Sequence, residues 1–372
     1  NYYYFKKRIE NLVKKKVMTM DKKTILMGTD TVSGIAPEIL DSIIAASKVK
    51  TLPYGNDIFT QECKVNISKV FEKKNIEIIP MMSGTASNSL ALTSFLPSYG
   101  SLLCHDESHI NKDEGGAPEF FSNGGKLISI SHETGRLNAE ILNNKINFLN
   151  YKGKRNSKPY GISITQLAEN GTVYTIEEIK EISSVCKKHD LFLHMDGARF
   201  ANAMATNNNL SPAEATWKIG VDCLSLGATK NGAMAAEVII FFNTKLAEEA
   251  KNKIKQTGHL LSKTRFISAQ LNAWFKNGLW LSLAKSANNK ATYLSEQLSK
   301  LNAFELIYPT QGNEVFFKIK KTTYDMIIKL NIIPNLWCKI NDEMLVIRFV
   351  TSFETEQSSL DMIIARLRNE FN

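Results

Sequence analysis

The sequence predicts an α/β fold: a large unit on a mostly parallel, seven-stranded sheet, followed by a small α+β C-terminal domain. Three observations predict it. Short apolar runs alternate with amphipathic stretches through the middle of the 372 residues, the pattern of repeated strand–helix–strand units. Around residues 255–280 that alternation gives way to long helical stretches and then to mixed strands and helices. Composition is that of a globular chain with ample core, 43% hydrophobic and 22% charged with 19 Phe, which excludes a disordered class. No apolar run approaches ~18 residues, so no membrane span is expected.

The elements follow in order. Pro37 stands in the first turn of a helix over 37–48, where its missing N–H costs nothing. A second helix is expected over 58–72, and a third over 87–95 after a Ser-Gly-Thr turn. The strongest amphipathic helix covers 175–189. Strands are expected at 76–81, 101–104, 126–130, 161–165, 191–194, 223–226 and 238–242. Past a basic segment, KIKQTGHLLSKTR, come a helix over 266–274, another reaching about 300, strands over 313–320 and 344–349, and a closing helix over 356–370. This divides the chain into a basic tail (1–20), a large domain with an N-terminal arm (21–260) and a small domain (261–372). No Pro/Gly linker separates the domains, so they are expected to pack tightly.

The net charge is +9, but residues 1–23 hold eight cations against two anions. The body is therefore nearly balanced, and nucleic acid is not expected as a partner. Three readings of the tail stay open: sequence upstream of a start at Met18 or Met20, a solvated or subunit-contacting arm, or a targeting peptide. The five cysteines are scattered, with no C-x-x-C. That points to reduced thiols, a cytoplasmic setting and no zinc site. His105 and His109 are four apart, but without H-E-x-x-H they are not read as metal ligands.

Four segments carry chemistry. In LFLHMDGARFA a strand ends at Asp196, and ligands of parallel sheets bind beyond the carboxyl ends of strands. In DCLSLGATKNGAMA a strand runs into Lys230 among Gly and Ala, which leaves room for a bulky aldehyde at the amine. In MSGTASNSL a helix opens at Ser-Gly-Thr, where free N–H groups and the dipole favour a phosphate, Gly84 allows close approach and Thr85 adds a hydroxyl. In HDESHINKDEGGAPEFF, His109 could stack on a ring and Glu114 lies on a tight turn. Each segment alone has a structural reading: a capped helix, a surface lysine, a satisfied loop histidine. Together they ask for one cofactor, pyridoxal 5′-phosphate.

With these residues in view, the sequence resembles the low-specificity L-threonine aldolases, in the β-eliminating-lyase group of fold-type-I pyridoxal-phosphate enzymes. The resemblance spans about residues 30–353 and rests on YGND (54–57), SGTASNSLAL, SHINKDEGGAPEFF, HMDGARFANA, GATKNGAMAAE, GHLLSKTRF and VIRFVTSF. It implies cleavage of L-threonine or L-allo-threonine to glycine and acetaldehyde, in threonine catabolism and glycine formation. It implies that Lys230 joins the cofactor aldehyde, Asp196 keeps the pyridine nitrogen protonated, and His109 stacks on the ring. Gly84 and Thr85 would bind the phosphate, with Ser83, Thr229 and Lys255 among the other cofactor contacts. Arg199 and Arg348 would meet the cofactor's O3′ region and the substrate carboxylate, with Thr29 helping. Tyr54 and Lys255 would reach a neighbouring subunit's site, implying a homotetramer or at least a dimer.

One departure stands out. Some family members carry a histidine near the position of Glu169, but the segment here reads TQLAENGTV. The acceptor of the β-hydroxyl proton is left open among His109, Glu114 and an ordered water. Other lyase reactions on β-hydroxy amino acids, or a silent cofactor-binding protein, remain as alternatives.

Overall fold

The structure is a computed structural model that describes residues 24–206 and 210–371; the basic tail expected over residues 1–20 lies outside them. Its centre is a seven-stranded sheet. The strands are β2 (Glu77–Met81), β3 (Gly100–His105), β4 (Lys126–Ile130), β5 (Lys158–Thr165), β6 (Phe192–Gly197), β7 (Cys223–Gly227) and β8 (Glu237–Phe241), in the spatial order β2-β8-β7-β6-β5-β3-β4. Only β8 runs against the others, pairing antiparallel with both β2 and β7. All seven expected apolar runs are therefore strands of one sheet.

The inner strands β3, β6, β7 and β8 are buried on both faces, so they read as continuous apolar runs rather than alternating ones. Odd positions such as Leu193 and Met195 on β6 face one core. That core is shared with the helices α1 (Pro37–Ser47), α2 (Ile58–Val70), α6 (Ala139–Lys152) and α7 (Ile176–His189). The opposite face packs against α3 (Gly84–Thr93) and α9 (Lys245–Lys253). Asp196 is on that side, because successive strand residues alternate. Short helices α4 (His109–Lys112), α5 (Ala117–Phe121) and α8 (Phe200–Met204) lie in the connections.

Several boundaries differ from expectation for local reasons. Helix α3 begins at Gly84 rather than 87, because the Ser83 hydroxyl accepts the Ala86 N–H and caps it. Strand β6 continues past 194 to Gly197, since Asp196 stays in the ladder between Thr165 and Ser225. Helix α6 is an element the sequence reading passed over. Asn138 caps it through the Ile141 N–H, and Leu142, Ile146 and Leu149 form its buried stripe. Helix α9 was passed over as well. Its apolar residues Leu246, Ala247 and Ala250 are few among charges.

Beyond the sheet, α10 (Arg265–Phe275) packs Ile267, Leu271 and Trp274 into the first core, joined by Trp280 and Ala284 of α11 (Leu279–Leu298). A second core starts at Ala291 on α11 and contains Phe317, Ile347, Phe349 and Leu360. It underlies an antiparallel sheet of β9 (Glu305–Leu306), β10 (Glu314–Lys320), β12 (Asn335–Lys339) and β13 (Met344–Val350), ordered β12-β13-β10-β9. Helices α12 (Lys321–Lys329) and α13 (Gln357–Phe371) complete it. The N-terminal arm joins this second core. Strand β1 (Ile25–Leu26) pairs parallel with β11 (Ile332–Ile333), and Met27 is buried among its apolar residues. The Val350 N–H also donates to the Met27 carbonyl at 2.7 Å. Among the described residues no helix is long and apolar enough to cross a membrane.

Candidate active site

Five parallel strands deliver polar residues at their carboxyl ends: Ser83 after β2, His109 after β3, Glu169 after β5, Asp196 on β6 and Lys230 after β7. This is where an open parallel sheet builds a ligand crevice. Lys230 lies in a 3-10 turn, Thr229–Asn231, between the antiparallel strands β7 and β8. The Ala228 N–H to Ala236 carbonyl bond, 3.0 Å, closes the turn. Space there is tight. A Cβ on Gly227 would lie 2.7 Å from Glu237 Oε2 and 3.0 Å from the Ala198 backbone, so glycine lets the Glu237 side chain and the chain after β6 close in on the end of β7.

Asp196 is buried, and both of its oxygens are held. Oδ1 accepts the Ala198 N–H at 3.0 Å, and Oδ2 accepts the Asn88 carboxamide at 2.9 Å. The same Asn88 nitrogen donates to Glu114 Oε1 at 2.8 Å, and Glu114 Oε1 also meets His109 Nδ1 at 3.0 Å. Four side chains thus form one chain: His109, Glu114, Asn88, Asp196. The Glu114 hydrogen bond raises the His109 pKa against the pull of burial, with Asp196 and Glu169 adding to it. Burial pushes the Glu114 carboxyl up; His109 and Asn88 oppose that, and the nearby Asp196 charge reinforces it. Beneath Asp196 the buried His194 bridges Ser163 (2.9 Å) and Ser225 (3.0 Å), and burial pushes its pKa down to about 4.

The second polar group links the two sheets. Arg199 donates from Nε to Asp30 Oδ2 at 2.8 Å and from a terminal nitrogen to Oδ1 at 3.2 Å. It also lies 3.4 Å from Glu314 Oε1, which accepts from Arg348 at 2.9 Å. Asn313 donates to Asp30 at 3.0 Å. Burial raises the Asp30 carboxyl, but Arg199 and Lys230 outweigh it and hold the pKa below the ordinary value. Arg348 stacks 4.9 Å from the Trp337 ring centre and donates weakly to the Gly28 carbonyl at 3.4 Å. Its Nε is buried with no partner among the described residues.

The remaining expected residues divide. Ser83, Gly84 and Thr85 form the first turn of α3. A Cβ built on Gly84 meets nothing within 4 Å, so the helix start is open to approach. The Thr229 hydroxyl accepts the Ala236 N–H at 3.1 Å. The Thr29 hydroxyl accepts the Thr31 N–H at 3.2 Å beside Asp30. Tyr54 and Lys255 lie together, with the amine 5.4 Å from the ring centre, in a surface pocket shared with Met82 and His259. Among the described residues no hydrogen bond or ion pair joins either of them to Lys230.

Sequence reasoning missed Asn88, Asp30, Asn313, Glu314 and Glu237. Asn88 carried a signal: it is a polar residue on a helix buried from Ala86 through Thr93. Glu237 carried another, as the charged first residue of a wholly buried strand; burial pushes its pKa up to about 7.

These residues fit pyridoxal 5′-phosphate. Lys230 has no hydrogen-bond or ion-pair partner among the described residues, an open helix start can receive a phosphate, and a buried carboxylate can face a pyridinium. Such a set at the carboxyl edge of this sheet defines a pyridoxal-phosphate-dependent enzyme of fold type I.

Comparison with known proteins narrows the class. The family model described as beta-eliminating lyase matches residues 27–322. The chain is 41% identical over 293 residues to the low specificity L-threonine aldolase of a Pseudomonas species, covering 79% of this chain and 84% of that one. It is 39% identical to the Pseudomonas aeruginosa enzyme of the same name, covering 81% and 86%. A solved structure described as Leishmania major threonine aldolase superposes with a TM-score of 0.87 at 26% identity, covering 93% of this chain and 99% of that one. The chain belongs to the beta-eliminating lyase family, whose members work through pyridoxal 5′-phosphate.

Proposed function

We propose that the protein cleaves L-threonine or L-allo-threonine to glycine and acetaldehyde. The observation that carries this reading is the placement of Asp196 and Lys230 at the carboxyl ends of the neighbouring strands β6 and β7, with the Asp30–Arg199–Glu314–Arg348 charge group built onto Arg199 just beyond β6. Relatives 39–41% identical are named for that activity.

Bound pyridoxal phosphate supplies an aldehyde that bonds an amine and a ring that accepts an electron pair. The chain's residues supply the rest. Ser83, Gly84, Thr85 and Thr229 would hold the phosphate end. Asp196, aimed by Asn88 and the Ala198 N–H, would keep a proton on the ring nitrogen and so favour electron withdrawal. His109, fixed by Glu114, would lie against the ring. Lys230 would bond the cofactor aldehyde in the resting protein and, once released by the substrate amine, would carry protons to and from the substrate. Arg348 would receive the substrate carboxylate through its unpartnered Nε. Thr29 and Arg199 flank that position. Holding the carboxylate orients the Cα–Cβ bond for cleavage.

The reading extends to a homotetramer in which Tyr54 and Lys255 complete a neighbour's site. It also extends to a cytoplasmic setting, supported by five free cysteines, four of them buried, and to a place in threonine catabolism. The test is direct. Purified protein loaded with pyridoxal phosphate should release acetaldehyde and glycine in equal amounts from L-threonine. Ammonia and a keto acid in place of acetaldehyde would overturn it.

A further inference from the structure

Glu169 was not expected to act, yet the fold sets its carboxylate against the backbone of His109, among the candidate site residues. It lies on a tight turn just beyond β5. The Ala168 N–H donates to the Thr172 carbonyl (2.9 Å) and the Gly171 N–H to the Ala168 carbonyl (2.8 Å). Asn170 locks the turn by accepting from the Thr172 hydroxyl at 2.7 Å and donating to the Thr134 carbonyl at 2.8 Å. Ala168 and Asn170 are buried while Glu169 is half-buried, so its side chain reaches an opening. There Oε1 accepts the backbone N–H of His109 at 3.1 Å. Oε2 has no hydrogen-bond partner among the described residues.

The other carboxylates of the cleft are committed. Asp196 has both oxygens bonded, Asp30 is engaged by Arg199 through both of its oxygens, and Glu114 is bonded to His109 and Asn88 through Oε1 while its unpartnered Oε2 is buried. His109 Nδ1 is held by Glu114. The groups facing Glu169 are His109 on α4, Asp196 on β6, Lys230 beyond β7, Arg199 beyond β6, Glu314 on β10 and Tyr174 before α7. Burial and the Asp196 charge push the Glu169 carboxyl up to about 7, against His109 and Lys230. A base is most effective when its pKa lies near the working pH.

We propose that Glu169 accepts the β-hydroxyl proton of the substrate as the Cα–Cβ bond breaks. This rests on the threonine-cleaving reading above. The O–H bond breaks and its proton passes to Glu169. The carbonyl of the aldehyde forms as Cα–Cβ breaks, and that bond's electron pair stays with Cα and the cofactor until a proton returns to Cα and glycine leaves.

Glu169→Gln keeps an oxygen for the His109 N–H but removes the base. In the loaded enzyme, threonine cleavage should fall by about 10²- to 10⁴-fold. Exchange of the glycine α-hydrogen with solvent, which involves no hydroxyl, should stay within a few fold of the parent. The kcat/KM of the parent for threonine should rise with pH through about 7, and that limb should vanish in the variant. In the substrate-free holoenzyme, the infrared difference between parent and variant should show a protonated carboxyl that titrates in the same range. Normal threonine cleavage by the variant, equal loss of cleavage and glycine exchange, or a carboxyl ionised throughout would each overturn the proposal. A parent enzyme that exchanges glycine but yields no acetaldehyde from threonine would instead overturn the reading beneath it.

Discussion

The two polar groups of the cleft are built on opposite principles. On the proposed cofactor side, a neutral carboxamide, Asn88, stands between two carboxylates and donates to both. On the proposed substrate side, full charges alternate: Asp30, Arg199, Glu314, Arg348. The first group draws its members from strand ends and connections of one sheet. The second draws them from the N-terminal arm, the large sheet and the small antiparallel sheet. The contrast teaches that the cofactor side is made rigid by hydrogen bonds within one body. The substrate side holds two bodies together by charge balance, and a ligand carboxylate can enter that balance as one more anion.

The variants that sharpen this contrast can be ranked. Lys230→Ala serves both sides and should have the largest effect. Threonine cleavage should fall by about 10⁴-fold or more, and borohydride should no longer fix cofactor to the protein; persistent fixation would remove Lys230 from its role. Asp196→Ala acts on the cofactor side alone. Cofactor should remain bound while turnover drops by about 10³-fold, and near-normal rates would break the assignment of Asp196 to the ring nitrogen. Arg348→Ala acts on the substrate side. It should raise KM for threonine by about 10- to 100-fold, as expected for losing a charged hydrogen bond, with a smaller change in kcat and cofactor affinity. An unchanged KM would make that side purely structural.

Asn88→Ala should cost about 1–3 kcal/mol of stability, since two buried carboxylates lose their shared donor, read as a lower Tm of the holoenzyme. If Asn88→Asp proves equally mild, the amide is not what separates the two acids. The last effect is confined to acid pH and concerns His194. The folded chain holds its pKa near 4 against an ordinary 6.5. Between those values the unfolded chain binds the extra proton, so stability falls as pH drops through this window, by about 3 kcal/mol at its lower end. His194→Asn should flatten the acid limb of a Tm–pH curve; an unaltered limb would locate the acid sensitivity elsewhere.

The sequence made the cofactor side legible because its residues sit at strand ends beside small-residue turns. Asp196 follows the apolar run of β6, and Lys230 follows that of β7. Ser83 and Gly84 mark a helix start by their chemistry alone. The substrate side was half legible. Arg199 and Arg348 were singled out, but their carboxylate partners were not, because Asp30 lies 169 positions from Arg199 and Glu314 lies 34 from Arg348, so each pair meets only through tertiary packing. Glu169 stayed hidden for a related reason. Its neighbours in sequence are an alanine and an asparagine, and what matters is the distant His109 N–H that fixes its carboxylate. Helix α6 had a readable cap and stripe, yet its asparagine-rich surface diluted the periodicity.

The arm carries a consequence for how the molecule comes into being. Residues 25–27 find their partners at 332–333 and 350, so a chain emerging from the ribosome must present Asp30 to Arg199 long before its anchor has been made. Of the described residues, the first to appear are among the last to be secured. Until β13 arrives, the nascent large lobe has a lysine and an acid in place but an unfastened wall beside them.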